Sequence, residues 1–442
     1  MKEAVKNWLR DRGINRSNAN ALQYWLPYNF LNGRAFTPQS ITIEVTLRCN
    51  LSCQMCPLEL PRMMHDRVDP KHVRERQKAE MTTKELLGLI DDVSDMGVRE
   101  MTLTGGELFL RRDAMDLIER AMMRKRRLCV NTNGWFMSRE HARQLVEWDV
   151  DALSISIDGP DQVHDLIRRR EGSFRRLMEG LKVLKEEKEK LGKTNPSVGI
   201  SVTLFALNQD RFSEVVDAVR DLNVSSVDFD FMFFTDEESI RRTREMIPLP
   251  VHPKEEDQVL PDELRNVDVD LMFAEMQAAR EKSQRYGVPI TFGPAFTTKE
   301  QVRRRFHELH YAYVNKCFYP WKSSRVNPYG DVYSCSIDAS FGNIKESPFH
   351  EIWNGEAYKV FRRTLKQHRL FPKCSKCCAL NKGLWSKLPA FGRAIKDPVL
   401  ANNSSGLNGA NGSNGNHGGM VEVTVGGQSR VADNFVDSSR SN

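Results

Sequence analysis

Three cysteines, Cys49, Cys53 and Cys56, stand three and then two residues apart directly after an apolar, strand-like stretch beginning at Ile43. Thiolates gathered in one short loop are ligands for iron–sulfur clusters or for zinc. On a four-iron cluster three thiolates leave one iron without a protein ligand. An open iron can chelate a small molecule that offers an amine and a carboxylate. A zinc site completed from elsewhere is the other reading, but zinc knuckles present paired C-x2-C units rather than three cysteines in a single loop. A second group follows far downstream at Cys317, Cys335, Cys374, Cys377 and Cys378. Four of these suffice for a fully ligated four-iron cluster or for zinc, although Cys317 and Cys335 do not make a knuckle. Cys129 has no partner in sequence and is expected to be a core thiol.

The elements that must position these residues are legible from periodicity. Strand-like runs at Ser40 to Thr46, Glu100 to Thr104, Leu128 to Asn131, Ala152 to Ile157, Val198 to Leu204 and Ser226 to Phe231 alternate with helical runs. The helical runs span Thr82 to Met96, Asp113 to Arg124, Ser138 to Trp148, Phe174 to Leu191 and Phe212 to Leu222, with apolar residues three and four apart. Repeated strand–helix units predict a parallel sheet with helices outside, and six of them predict an α/β partial barrel, (β/α)6, with its ligands at the carboxyl ends of the strands. The cysteine loop and the pair Gly105–Gly106 both fall at such ends. The expected organisation is a helical extension over 1–39, the barrel over 40–232, a helical linker over 233–310, a small cysteine-bearing domain over 311–390, and a disordered Asn/Gly/Ser-rich tail over 401–442, with a strand-like patch at Val421 to Val425 as its one exception.

The cysteine spacing, read with Gly105, Gly106 and Glu107 about fifty residues on, resembles the radical S-adenosylmethionine (SAM) superfamily. The segment 151–160, followed by His164, Asp165 and the run Arg168 to Ser173, resembles the fourth-strand region of members with a C-terminal SPASM or twitch extension. The stretch from Cys317 to Cys378, with its Gly330-to-Cys335 spacing, is similar to that extension itself. No cysteine follows Cys378, which matches the shorter, single-cluster twitch form.

The resemblance implies a [4Fe-4S] cluster on Cys49, Cys53 and Cys56 that binds SAM, and a second, auxiliary [4Fe-4S] cluster on Cys317, Cys335, Cys374 and Cys377, with Cys378 either spare or competing with Cys377 for the last place. It implies that Gly105, Gly106 and Glu107 contact the methionyl amine, and that Ser156 and one of Arg168, Arg169 or Arg170 hold the SAM carboxylate and ribose. Arg168 is the position taken here, since a guanidinium fork suits a carboxylate, although a run of arginines is also a solvated charge patch. Met55 stands where the family usually has an aromatic residue over the adenine. Val202 and Leu204 are near the adenine by position, with core packing the expected role for both. Asp158 either faces the barrel mouth or caps the Gly159–Pro160 turn. The implied activity is reductive cleavage of SAM to a 5′-deoxyadenosyl radical that takes hydrogen from a substrate, with the auxiliary cluster accepting an electron. The expected reaction is a net oxidation of a small polar metabolite of amino-sugar or cyclitol type. Modification of a peptide or protein side chain is the alternative, and a non-catalytic iron–sulfur electron carrier is the reading from another class. A flavodoxin or ferredoxin is the implied electron donor.

Composition agrees. A chain of 442 residues that is 40% apolar can bury a barrel core and a small second domain. Eight of the nine cysteines fall in the two groups above, which speaks against a disulfide framework and for a reducing interior. The charged N-terminal stretch has no signal-peptide core and no apolar run is of membrane length, so a cytoplasmic protein without a membrane partner is expected. The net charge of +6 comes without a basic stripe interleaved with aromatics, so no nucleic-acid partner is expected.

Overall fold

The computed structural model describes residues 16–56, 78–249, 259, 262–335, 337, 339–377 and 380. The tail over 401–442, the patch at Val421 to Val425 and Cys378 lie outside them. Six strands, β1 (Ser40–Glu44), β2 (Glu100–Thr104), β3 (Arg127–Thr132), β4 (Ala152–Ser156), β5 (Ser197–Leu204) and β6 (Ser226–Phe231), pair in parallel in sequence order. A helix α1 (Arg16–Phe30) precedes them. The crossovers carry α2 (Thr83–Asp95), α3 (Ala114–Met123), α4 (Arg139–Glu147), α5 (Asp161–Arg168), α6 (Ser173–Leu191) and α7 (Glu214–Val219). These match the expected partial barrel closely. Local chemistry sets several helix starts: Thr82 and Glu85 form a reciprocal capping box at α2, and the Ser138 hydroxyl accepts from the His141 amide at α4.

The sheet is wider than six strands. The segment 233–310, expected to be a helical linker, holds α8 (Glu237–Met246), α9 (Val269–Tyr286) and α10 (Lys299–His307), but it also supplies β7 (Ile290–Gly293), parallel to β6. The cysteine-bearing region then adds β8 (Ser323–Val326) in parallel beside β1, and β9 (Val332–Tyr333) antiparallel to β8. A last helix α11 (Glu356–His368) packs the far side of that module through Tyr358 and Phe361, both fully buried. The order β7-β6-β5-β4-β3-β2-β1-β8-β9 is open at both edges.

Alternation along the strands divides the sheet into two unlike faces. Ile41, Ile43, Met101, Leu103, Leu128, Val130, Leu153, Ile155, Ile200, Val202, Val227 and Phe229 are at most 1% exposed and form the layer under the helices. Val202 and Leu204 are core residues, as expected. The other face carries Thr42, Thr102, Thr104, Asn131, Ser154, Ser156, Ser201, Thr203 and Asp230, all half-exposed. Cys129 corrects an expectation: it lies on this polar face, half-buried, its thiol 3.7 Å from the Asn131 carbonyl oxygen, rather than in the apolar core. Among the described residues no helix is long and apolar enough to cross a membrane.

Candidate functional site

Where β1 ends, Thr46 to Arg48 run alongside the end of β2 and lead into the cysteine loop. The Gly106 amide donates to the Thr46 carbonyl at 2.7 Å and the Glu107 amide to the Arg48 carbonyl at 2.8 Å. A Cβ on Gly105 would lie 2.5 Å from the Thr46 carbonyl oxygen, and one on Gly106 would lie 2.6 Å from that of Leu47 and nearer still to that of Arg48. Glycine is required here because two backbones meet. The loop beyond is pinned by the Gln54 amide to the Ile167 carbonyl at 2.9 Å, by Arg170 to the Asn50 carbonyl at 2.8 Å, and by the Asn133 side chain to that of Asn50 at 2.9 Å.

Cys49, Cys53 and Cys56 line one cavity of about 460 Å³ together with Met55, Gly105, Gly106, Ser156 and Arg168. Thr104, Asn131, Ser154, Ser201, Thr203 and Asp230 complete its polar wall, and Phe231, Met232 and Phe233 close one side. Burial pushes the Cys49 thiol up to about 12; the Leu51 amide opposes this, while Cys53, Glu107 and Cys56 add to it. A thiol so placed ionises only when a cation compensates it, which is what iron ligation does. Among the described residues no group of three or more His, Cys, Asp or Glu side chains is arranged to hold a single metal ion, the geometry zinc needs. The three cysteines line one cavity, and thiolates are the ligands that an iron–sulfur cluster takes.

Arg168, Arg169 and Arg170 separate clearly. Arg169 is the left-handed residue that ends α5, with φ of 50°, and Arg170 lies over the Trp135 ring at 4.0 Å. Arg168 alone turns into the cavity, where it pairs with Asp158 and donates to the Cys53 sulfur at 3.5 Å. Burial opposes its charge, but Asp158 and Cys53 outweigh that and hold its pKa above the usual arginine range. Its Nε is a buried donor with no partner. An orphaned guanidinium N–H at the wall of this cavity suits a ligand carboxylate.

Two buried carboxylates flank the cavity. Of the two places open to Asp158, the turn is not the one taken, since α5 has no side-chain cap: Asp158 is fully buried, pairs with Arg168 and accepts from the Thr203 amide at 2.9 Å. Glu107 lies behind the cavity wall rather than on it. Its carboxylate accepts from the Thr132 hydroxyl at 2.9 Å, the Asn133 amide at 2.8 Å and the Phe109 amide at 3.2 Å. Burial raises its pKa against those donors, which hold it down. The side chain braces the β3 turn, leaving Gly105 and Gly106 to border the cavity.

The second cysteine group gathers at the foot of β8 and β9. Cys374 and Cys377 share a turn, with the Cys377 amide on the Cys374 carbonyl at 3.1 Å, and the Tyr319 amide donates to the Cys317 thiol. Burial pushes Cys317 up to about 12, followed by the effect of Cys335, and pushes Cys374 well above its usual value, followed by Cys335 and Cys317. The half-buried Tyr319 is within electrostatic reach of both Cys335 and Cys377. Cys317, Cys335 and Cys374 thus act on one another electrostatically, and Cys377 shares the Cys374 turn.

The profile of the Radical SAM superfamily matches residues 43–219, and that of an iron–sulfur cluster-binding domain matches residues 317–378. An AdoMet-dependent heme synthase of Methanosarcina barkeri is 26% identical over 350 residues, covering 77% of this chain and 88% of its own. The subtilosin biosynthesis protein AlbA of Bacillus subtilis is 23% identical over 346 residues, covering 76% of this chain and 65% of its own. In three dimensions the chain resembles Streptococcus suis SuiB, with a TM-score of 0.54 and 13% identity over 83% of this chain and 82% of that one.

Proposed function

Because the chain belongs to the radical SAM superfamily and carries an iron–sulfur cluster-binding domain beyond its barrel, we propose that it carries out a net oxidation of its substrate by hydrogen abstraction from carbon. The observation that carries this reading is the convergence of Cys49, Cys53, Cys56, the two glycines and the orphaned Arg168 donor on one cavity at the carboxyl ends of the strands. A cluster on Cys49, Cys53 and Cys56 with SAM bound would supply the one-electron cleavage chemistry that generates a hydrogen-abstracting radical.

The chain's own residues bind, orient and exclude water. Arg168 and Ser156 hold the carboxylate and ribose, and Met55, 8% exposed, offers a polarizable face to the adenine. Asp230, a carboxylate in the cavity wall, takes the proton that a net oxidation releases. Cys317, Cys335, Cys374 and Cys377 would hold the auxiliary cluster, which would supply an acceptor for the second electron, and a flavodoxin or ferredoxin would be the source of the first.

For the substrate, the heme synthase similarity extends over most of both chains and favours a tetrapyrrole. The similarity to AlbA supports a peptide side chain as the second reading. The amino-sugar or cyclitol expectation comes from the resemblance to single-cluster twitch enzymes, and beyond that only the polar cavity wall supports it. The test is anaerobic: protein reconstituted with iron and sulfide is reduced in the presence of SAM, and 5′-deoxyadenosine is measured. Transfer of deuterium from a labelled porphyrin or peptide into that product identifies the substrate. Output no greater than that of protein lacking the first cysteine group removes the reading.

A further inference from the structure

Glu80 belongs to no motif, yet it sits at the root of the first cysteine loop. Its carboxylate accepts from the Leu47 amide at 2.8 Å, and both oxygens lie 2.9 Å from the Thr46 hydroxyl. That hydroxyl accepts in turn from the Arg48 amide at 3.1 Å, and the Arg48 guanidinium stands 3.8 Å from Glu80. Glu80 is 8% exposed and Thr46 fully buried, so these bonds form away from water, where a missing partner is not replaced. The segment Thr46 to Arg48 is thus gripped on one side by Gly106 and Glu107 and on the other by Glu80. Cys49 is the next residue.

Glu80 is itself held by the other cysteine module. The Met81 amide donates to the Pro328 carbonyl at 2.7 Å, and the Lys345 ammonium donates to the Ala79 carbonyl at 3.0 Å. Pro328 and Lys345 bracket the hairpin that carries β9 and leads into Cys335; its ends are tied by the Ile344 amide on the Gly330 carbonyl at 2.8 Å. Arg111 reinforces the junction by donating to both the Val45 carbonyl at 3.0 Å and the Met81 carbonyl at 3.1 Å. Residues 79–81 therefore form a clamp with one jaw on the first loop and the other on the auxiliary hairpin.

We propose that Glu80 is a positioning residue for the first cluster, and that through it the auxiliary module sets the geometry of the loop bearing Cys49. This rests on reading Cys49, Cys53 and Cys56 as the ligands of a SAM-binding cluster. A carboxylate that only stabilised the fold would change melting temperature and nothing at the cluster. The clamp changes the cluster's response to SAM.

The experiment uses the full-length reconstituted protein and the variants Glu80→Ala, Glu80→Gln and Lys345→Met. Iron per chain, the electron paramagnetic resonance spectrum of the reduced first cluster with and without SAM, and hydrogen exchange at the Leu47 amide are measured. Glu80→Ala is expected to speed Leu47 exchange and weaken the SAM-dependent spectral change by about tenfold or more in apparent affinity, since a buried, charge-assisted bond is lost. Glu80→Gln keeps an acceptor for the Leu47 amide and recovers most of it. Lys345→Met alters an exposed side chain in the other module, yet is expected to speed Leu47 exchange in the same direction. Unchanged SAM affinity in a folded Glu80→Ala overturns the positioning role; where that variant does not fold, faster Leu47 exchange with unchanged SAM affinity in Glu80→Gln overturns it. Unchanged Leu47 exchange in Lys345→Met overturns the coupling. A wild-type spectrum that does not respond to SAM fails the underlying reading instead.

Discussion

Gly106→Ala should damage the radical chemistry more than it damages the fold. The added methyl would stand 2.6 Å from the Leu47 carbonyl oxygen and closer to that of Arg48, whereas ordinary contact begins at 3.4 Å. Relief needs a movement of roughly 0.8 Å or more, and the atoms in the way are backbone, not the end of a flexible side chain. The Arg48 carbonyl already accepts from the Glu107 amide at 2.8 Å, so the loop must move as a piece and carry Cys49 with it. Overpacking of this kind costs about 1–3 kcal/mol, whereas a displacement of about 1 Å at a reacting centre can cost about a hundredfold in rate. Gly88, exposed on α2 with nothing within 4 Å of a built Cβ, is the control; Gly88→Ala should gain about 0.8–1 kcal/mol with activity unchanged. Melting temperature, iron per chain, SAM affinity and 5′-deoxyadenosine production are measured on both variants and the wild type. A Gly106→Ala protein within about threefold of wild type in SAM affinity and turnover would show that the close approach is not needed to aim the cluster loop.

Replacing Cys49, Cys53 and Cys56 together with Ala should abolish 5′-deoxyadenosine production while leaving about four of roughly eight irons per chain, because the second group ligates its own cluster; undiminished production sinks the assignment. Changing Cys374 and Cys377 to Ala should lower substrate oxidation more than uncoupled SAM cleavage, with circular dichroism confirming the fold, since metal binding and folding are linked in small modules; a folded variant lacking only that cluster and oxidising at the wild-type rate contradicts an electron-accepting role. His164, 1% exposed, accepts from the Asp158 amide at 3.3 Å, and burial followed by Arg168 holds its pKa well below the usual histidine value. It stays neutral when folded but takes a proton when unfolded below about pH 6.5, so it lowers stability as pH falls through that value, by up to about 1.4 kcal/mol per pH unit. Glu107, with its pKa raised by burial, acts in the opposite sense. The measurement is therefore a difference: unfolding midpoints of His164→Gln and wild type should converge between about pH 7 and 5.5, and parallel curves refute it.

The six barrel strands were readable because each alternates apolar and polar residues between helices with clear caps, so local pattern and tertiary need agree. β7 and β8 were not readable for a physical reason. Each spans four residues, and β8 is the sequence Ser323-Ser324-Arg325-Val326, whose polar content hides its period. They are strands because β6 and β1 offer unpaired edges, which is tertiary information. The site divides the same way. Cysteine spacing marks the ligands, but which of three arginines turns inward depends on where α5 ends, and that is set by the left-handed turn at Arg169. Glu80 left no trace at all, being one acid in a charged stretch whose partner atoms are mostly backbone. Asp158 and Glu107 were visible as polar residues at strand ends, yet their roles follow from burial, which sequence gives only for apolar periodicity.

The placement of β8 ties the loops of two cysteine groups, more than 260 residues apart in sequence, to one sheet. β1 runs directly into the first loop, β8 lies beside it in parallel register with Thr42 opposite Arg325, and β9 returns to end two residues before Cys335. Neighbouring strands are about 4.8 Å apart, so the loop bearing Cys49 and the turn bearing Cys335 leave from one strip of hydrogen-bonded backbone. Register is what that strip must keep, and its means are polar. Glu44 accepts from both the Arg325 guanidinium and the Tyr333 hydroxyl, one residue from each of the three strands, with Glu44 and Tyr333 5% and 2% exposed. A one-residue slip of β8 against β1 would send Arg325 to the opposite face and leave the Glu44 carboxylate buried without its cation, a penalty that apolar pairs on a two-sided sheet would not impose. The charge pair therefore acts as a register lock between the barrel and the module that completes it.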